Sequence, residues 1–154
     1  MNTRKTVSLF LYLPETKEMI LSRRSESRTR PGLLQATAHG ELETAEDDQT
    51  ALARELKEET TLDIKTVRNL KFIKTVEAGQ RQPEKCRYYL AEIDQSVFAG
   101  LKPTEEVKEF VKVTAKDLEN IAPFSSAEMK GIDLFNNNVM YDDELGALKE
   151  IFPT

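Results

Sequence analysis

The chain has 154 residues, of which 39% are hydrophobic and 32% are charged, and its net charge is -5. This composition is typical of one soluble globular domain, here residues 1–154, and argues against a disordered or membrane protein and against broad nucleic-acid binding. The single cysteine, Cys86, excludes an internal disulfide, and we expect a packed thiol there. Because no signal-peptide pattern or membrane-length apolar run is present, the expected location is cytoplasmic.

Two strands joined by a turn are predicted near the start of the chain. Residues 5–13 are rich in β-branched and aromatic side chains, residues 14–17 have turn chemistry, and residues 18–23 resume an extended pattern. An arginine-rich loop follows, ending in Pro31 and Gly32. Guanidinium groups suit bidentate phosphate binding, so Arg23 and Arg24 are candidate substrate contacts, with a solvated basic loop as the alternative.

A helix is predicted to begin at Asp47, after a short strand at residues 33–38. Asp47 and Asp48 place negative charge in its first turn, where the helix dipole favours it. Leu52 and Leu56 are four residues apart and form an apolar stripe that would anchor the helix to a sheet.

Three glutamates lie on one narrow stripe of this helix. Glu55, Glu58 and Glu59 stand at positions i, i+3 and i+4, which brings their carboxylates together beside the packed edge. Like charges at this spacing repel, and a divalent cation would turn the same stripe into a ligand set. The alternative is a solvated acidic helix face.

The wider spacing around these glutamates resembles the Nudix box. That pattern is G-x5-E-x7-R-E-U-x-E-E-x-G-U, where U is an aliphatic residue. The matching positions are Gly40, Glu46, Arg54, Glu55, Leu56, Glu58, Glu59 and Leu62.

Thr61 is the one departure from the box, because it stands where the pattern has glycine. In family members that glycine takes the left-handed conformation that ends the helix. Thr61 either adopts this conformation at a cost on the order of 1 kcal/mol, or the helix ends in another way. We expect a helix exit that is built differently from the glycine form.

The resemblance implies an α+β protein with the Nudix fold, a mixed central β-sheet sandwiched between helices in α/β/α layers. It implies hydrolysis of a phosphoanhydride in a nucleoside diphosphate linked to another group, by water activated on Mg²⁺ or Mn²⁺. The expected partner is therefore a small nucleotide-type substrate, with nucleic acid and membrane disfavoured. Dimers are common in the family, so a homodimer is a further expectation.

The roles in the box carry over position by position. Glu55, Glu58 and Glu59 are the expected metal ligands, and Glu55 is also a candidate for the base that takes a proton from the attacking water. Arg54 would pair with Glu46 and fix the helix against its preceding loop.

Residues outside these positions extend the candidate site. His39 precedes the first glycine of the box, where family members can supply a backbone oxygen to the metal. We expect its side chain to make local hydrogen bonds or to contact substrate. In some members a late-chain glutamate approaches the metal, and Glu105 and Glu106 are the candidates here; simple solvation is the alternative.

The second half of the chain reads as a hairpin followed by short elements. Residues 64–76 suit one or two strands with a possible break at Asn69, and residues 85–93 suit their partner across a polar turn. A loop is predicted at residues 97–101, a short strand at 110–113, and a helix at 115–121 capped by Thr114.

A final amphipathic helix is predicted after a turn at residues 136–138. Its apolar face consists of Leu145, Leu148, Ile151 and Phe152. Residues expected to pack under it are Met129, Leu134 and Phe135.

Two other functions on the same fold stay open. Isopentenyl diphosphate isomerisation is disfavoured because the known isomerases use a cysteine in the loop before the helix, where this chain has none. A non-catalytic nucleotide-binding module is disfavoured because a retired site has no physical reason to keep mutually repelling carboxylates.

Overall fold

The computed structural model describes residues 3–78, 83–125 and 131–153. Its central strand, β1 (Arg4–Leu13), forms the predicted antiparallel hairpin with β2 (Glu18–Arg24). Alternate side chains of β1 enter two different hydrophobic clusters, one containing Leu9 and the other Phe10. Burial on both faces explains why this segment is an almost continuous apolar run.

Seven further strands complete the sheet within the described residues. They are β3 (Leu34–Gln35), β4 (Ala38–Glu41), β5 (Arg68–Ala78), β6 (Glu84–Glu92), β7 (Val107–Val113), β8 (Ala122–Pro123) and β9 (Val139–Met140). The strand order is β5-β6-β1-β2-β3-β9-β8, with β4 paired to β1 and β7 paired to β2. Since β1 runs parallel to β6 and antiparallel to β2 and β4, the sheet is mixed, which confirms the prediction.

Helices cover both faces of this sheet. The box helix α1 (Asp48–Thr60) buries Leu52 and Leu56 in the cluster that contains Leu9. A short helix, α2 (Gln95–Phe98), lies on the same side through Val97 and Phe98, and the last helix, α3 (Asp142–Ile151), packs on the opposite face. The predicted α+β class with α/β/α layers is therefore confirmed.

The four apolar positions predicted for α3 are all buried. The same helix also buries a carboxyl group, Glu144, whose Oε1 accepts a hydrogen bond of 2.5 Å from the backbone N–H of Ala36. Burial is the main cause that raises the pKa of Glu144 to about 8. No helix among the described residues is long and apolar enough to cross a membrane.

Several local predictions were wrong in detail. The single strand expected at residues 33–38 is two short strands, β3 and β4, and the loop expected at 97–101 begins with the last residues of α2. The helix expected at 115–121 is a 3₁₀ turn, Lys116–Asn120, although Thr114 and Asp117 do exchange the two hydrogen bonds of a helix cap.

The β5–β6 hairpin pairs as predicted, and the suspected break at Asn69 is a bulge with a positive φ of 55°. Leu134 and Phe135 are half-buried and do not join the cluster under α3; Leu134 lies against Gly32 instead. The turn between β5 and β6 falls at residues 79–82, outside the described residues, as does Met129.

Candidate active site

The box helix is fixed at both ends by local hydrogen bonds. Asp47 caps its start, because its Oδ1 accepts a bond of 2.8 Å from the N–H of Thr50. At the other end Thr61 has φ 68° and ψ 1°, and its N–H donates to the carbonyl of Lys57 at 3.0 Å. This is the left-handed exit that glycine makes, so the expectation of a differently built exit was wrong.

The threonine can take this conformation because its side chain is exposed and its backbone bonds are made. Thr60, one residue earlier, adds two bonds: its hydroxyl donates to the carbonyl of Leu56 at 2.6 Å and accepts from the N–H of Leu62 at 3.1 Å. These bonds help to stabilise the turn, at which the family pattern has a glycine.

Gly40 serves the site by allowing close approach, not by a special backbone angle. A Cβ at this position would lie only 2.0 Å from both Cδ and Oε1 of Glu55. The glycines with positive φ among the described residues are Gly32 and Gly131, so Gly40 does not use the backbone conformation that favours glycine. The carboxylate of Glu55 occupies the space that any side chain at Gly40 would need.

Arg54 connects the loop before α1 to the helix. Its Nε and Nη2 form a two-point ion pair with Glu46 at 2.9 and 2.8 Å, and its Nη2 also donates to the carbonyl of Glu41 at 3.0 Å. Its Nη1 lies 2.7 Å from Oε1 of Glu55 and 3.5 Å from Oε2 of Glu58. The hydrogen bonds that Arg54 donates to Glu46 are the largest cause that lowers the pKa of Glu46 to about 2, and the same bonds are the largest cause that raises the pKa of Arg54.

The three box carboxylates differ in exposure. Glu55 and Glu59 are 8% and 1% exposed, whereas the side chain of Glu58 is 52% exposed. Loss of hydration raises the pKa of Glu55, against the opposing effect of Arg54. The pKa of Glu59 is raised well above its usual value, first by burial and further by the nearby charges of Glu55 and Glu106.

His39 makes local hydrogen bonds, one of the two roles expected for it. Its backbone N–H donates to Oε2 of Glu59 at 2.9 Å, which positions that carboxylate. Its Nδ1 lies 2.6 Å from the hydroxyl of Ser8. Burial, followed by the charges of nearby arginines, lowers the pKa of the imidazole to about 4, so the ring is neutral at physiological pH.

Of the two late-chain glutamates, Glu106 is the one whose charge acts on the box carboxylates. Its charge contributes to the raised pKa of both Glu55 and Glu59, and its Oε1 lies 3.1 Å from Nη1 of Arg28. Glu105 instead contributes its backbone carbonyl, which accepts hydrogen bonds from Ser25 and Ser27. Because Glu105 and Glu106 are adjacent, the sequence alone could not show which of them has which role.

The guanidinium of Arg23 is engaged by groups of the protein itself. Arg23 is 5% exposed, pairs with Glu109 at 3.0 Å, and donates to the side chain of Asn138 and to three backbone carbonyls. These bonds use the guanidinium to hold two loops together. We therefore do not propose Arg23 as a substrate contact.

Arg24 is also buried, at 8% exposure, and its guanidinium is hydrogen-bonded to Thr29 and Gln35. Loss of hydration is the main cause that lowers its pKa. Its charge reaches Glu59, so it belongs to the electrostatic surroundings of the site. The arginine of this loop that reaches an acidic side chain of the site directly is Arg28, which the sequence reasoning did not single out.

The donor chemistry of the site fits a hard divalent cation, since carboxylate oxygens are the ligands that Mg²⁺ and Mn²⁺ prefer. Glu55 and Glu59 are held at low exposure, and their mutual repulsion contributes to the raised pKa of Glu59. Within the described residues, no three acidic, histidine or cysteine side chains are already close enough to enclose an ion. In this arrangement Nη1 of Arg54 lies near both Glu55 and Glu58, at 2.7 and 3.5 Å.

The sequence matches the NUDIX domain family over residues 2–133, and the chain belongs to this family. The match contains every box residue. Family membership supports a pyrophosphohydrolase, an enzyme that cleaves phosphoanhydride bonds, and such enzymes generally require a divalent metal. No curated protein matches the sequence.

Solved structures share the fold at low sequence identity. DR0079 from Deinococcus radiodurans superposes with a TM-score of 0.70 at 16% identity, over 97% of this chain and 83% of that one. A C. elegans Ap4A hydrolase gives 0.61 at 20% identity, over 75% of this chain and 82% of that one. The dihydroneopterin triphosphate pyrophosphohydrolase of E. coli gives 0.56 at 18% identity, over 75% and 85%.

Proposed function

We propose that this protein is a divalent-metal-dependent hydrolase that cleaves a nucleoside diphosphate linked to another group. The observation that carries the proposal is the pair of carboxylates Glu55 and Glu59, buried on one face of α1, with Gly40 leaving room for Glu55. Burying two like charges is costly unless a cation or protons compensate. The fold is shared with enzymes that act on a dinucleoside polyphosphate and on a pterin triphosphate, which agrees with a substrate of this class.

The acidic side chains of the box would hold the ion, Mg²⁺ or Mn²⁺. These ligands are Glu55, Glu58 and Glu59. We add Glu106, because the hydroxyl of Thr104 in the same segment donates to the carbonyl of Glu59 at 3.5 Å and the charge of Glu106 acts on both Glu55 and Glu59. A bound divalent ion supplies neutralisation of the polyanionic substrate and a lowered pKa for its water. The backbone N–H of His39 keeps Glu59 oriented toward the site.

Glu55 is the group to which we assign the acceptance of a proton from the attacking water. Its pKa is raised by loss of hydration, which moves it toward the pH range in which a general base works best. Arg54 holds Glu55 in position through the 2.7 Å contact. Its ion pair with Glu46 fixes Arg54 itself to the loop before α1. Loss of either Arg54 or Glu46 would therefore misplace Glu55 without removing it.

The two alternative functions are weaker for structural reasons. Isomerisation of isopentenyl diphosphate would need a cysteine in the loop before α1, but the single cysteine, Cys86, lies buried in β6 with a pKa raised to about 11. A non-catalytic module would have no use for the buried carboxylate pair. A small nucleotide substrate, a cytoplasmic location and a homodimer remain predictions of the sequence.

The test is a panel of nucleoside diphosphate derivatives, with isopentenyl diphosphate included, assayed with Mg²⁺ and with Mn²⁺. Glu58→Gln should lower kcat by about 100-fold or more, since removal of a metal ligand weakens charge stabilisation in the transition state. The matched control is Lys57→Gln, an exposed neighbour on the same helix, which should retain wild-type rates. Absence of turnover on the whole panel, together with unchanged nucleotide binding in Glu58→Gln, would rule out the hydrolase.

A further inference from the structure

Arg28 lies at the boundary between the arginine-rich loop and the acidic site. Its Nη1 is 3.1 Å from Oε1 of Glu106, and the two side chains are 29% and 40% exposed. Its positive charge also acts on Glu59 and on His39, lowering the pKa of each. Arg28 therefore stands within electrostatic range of the acidic groups that the proposed function assigns to a metal ion.

The position of Arg28 is set by hydrogen bonds between two loops. Ser25 donates its N–H to the carbonyl of Glu106 at 3.1 Å and its hydroxyl to the carbonyl of Glu105 at 2.5 Å. Ser27 donates to that same carbonyl at 2.8 Å, and the N–H of Arg28 closes the turn on the carbonyl of Ser25 at 3.2 Å. These bonds tie the loop to the segment that carries Glu106, so the ion pair belongs to a fixed local structure.

The neighbouring arginines cannot take the place of Arg28. Arg54 is committed to Glu46 and Glu55, and Arg24 to Thr29 and Gln35. Arg28 is the arginine that neutralises Glu106 among the described residues, and because the pair is partly exposed to water it is weak. A contact of this strength can be displaced by a divalent cation.

We propose that Arg28 is an internal counter-cation of the metal site: it competes with the divalent ion for Glu106 in the ligand-free enzyme, and its displaced guanidinium binds a substrate phosphate. This rests on the proposed function for the identity of the site. Two effects of opposite sign follow. Without substrate, the positive charge opposes metal binding, whereas with substrate the same charge contributes to holding the polyphosphate.

The first effect is tested by titrating the protein with Mn²⁺ in the absence of substrate and following free Mn²⁺ by electron paramagnetic resonance. Arg28→Gln should lower the Mn²⁺ Kd by about two- to five-fold, the range for a partly exposed ion pair. Glu106→Gln should raise the Kd, and adding Arg28→Gln to Glu106→Gln should lower it by less than the same change does in the wild type, because only the longer-range effect of Arg28 on Glu59 is then removed. Arg28→Lys, which keeps the charge, should stay near wild type.

Lys108→Gln is the matched control, because Lys108 is a cation on the adjoining strand that pairs with Glu26 at 3.1 Å and not with a box carboxylate. Its Kd for Mn²⁺ should equal that of the wild type. An unchanged or raised Kd in Arg28→Gln overturns the proposal, and so does a Kd in Glu106→Gln that equals the wild-type value. Thermal unfolding of each variant establishes that it is folded.

The second effect is a rise of several-fold in KM for the best substrate in Arg28→Gln, with a smaller change in kcat. An unchanged KM refutes the phosphate contact. The Mn²⁺ titration does not depend on turnover. The proposed hydrolase function and the proposed role of Arg28 can therefore be refuted independently. A protein without activity on any substrate can still show the predicted shift in Kd, and an active hydrolase can lack it.

Discussion

Gly40→Ala is the substitution that tests the close approach of the box helix most directly. The added Cβ would lie 2.0 Å from Cδ of Glu55, whereas nonbonded carbon atoms approach to about 3.5–4.0 Å. The carboxylate must therefore move by about 1.5–2 Å. A misplacement of about 1 Å can cost 10²-fold in rate, so we expect kcat to fall by about 100-fold or more.

The same substitution should cost little stability. The group that the new methyl displaces is the end of a flexible side chain, which can rotate away, and not backbone. We expect the free energy of unfolding, measured by urea denaturation, to change by less than about 1 kcal/mol. Mn²⁺ affinity should fall at the same time, because Glu55 leaves its place beside the other box carboxylates.

Gly146→Ala is the matched control, since Gly146 lies in α3 and a Cβ there would meet no atom within 4 Å. It should leave kcat unchanged and raise the free energy of unfolding by about 0.5–1 kcal/mol, the usual gain for alanine over glycine in a helix. A Gly40→Ala enzyme with kcat within threefold of wild type would refute the assigned reason for this glycine. A large loss of stability would show that the clash falls on the backbone.

Two further substitutions test the helix exit and the buried carboxyl of α3. Thr61→Gly should raise the free energy of unfolding by about 0.5–1 kcal/mol in urea denaturation, because glycine removes the left-handed strain at φ 68°; a loss of stability would contradict this. Glu144 has a pKa of about 8 when folded against a usual 4.5, so its contribution to stability is fully present below pH 4.5 and is lost as the pH rises through 8. Glu144→Gln keeps an acceptor for Ala36 and should flatten this dependence, making the variant more stable than wild type at pH 8 by on the order of 3 kcal/mol; parallel pH profiles of the two proteins would refute it.

The candidate site divides into what local chemistry sets and what folding sets. The helix and the carboxylate stripe depend on spacings of three and four residues, so they could be predicted directly, whereas Asp47, expected in the first turn, is the residue that caps the helix. The pairing of Arg54 with Glu46 was implied by the resemblance to the box, and the structure shows it at 2.9 and 2.8 Å. The catalytic roles of these residues are still predictions.

The arginine-rich loop shows the limit of such reasoning. A run of arginines predicts phosphate binding by charge alone, yet Arg23 donates to residues 134, 137 and 138 and is buried by them. Nothing near Arg23 in the chain signals those contacts, because they come from a segment more than 100 residues away. The sequence could therefore not separate Arg23, which holds the fold together, from Arg28, which reaches the acidic site.

By itself, the sequence determined the register of the box, the helix that carries it, the hairpins of the sheet and the family. Only the tertiary structure decided that Gly40 lies against the carboxylate of Glu55 and that Glu144 is buried. It also decided that the charge of Glu106, and not that of Glu105, acts on the box carboxylates. Periodicity and capping are encoded among neighbouring residues, whereas burial and side-chain direction depend on what distant segments bring to the same place. Thr61 depends on both kinds of information. The sequence showed that it replaces the glycine of the pattern, and the structure showed that it adopts the left-handed conformation there.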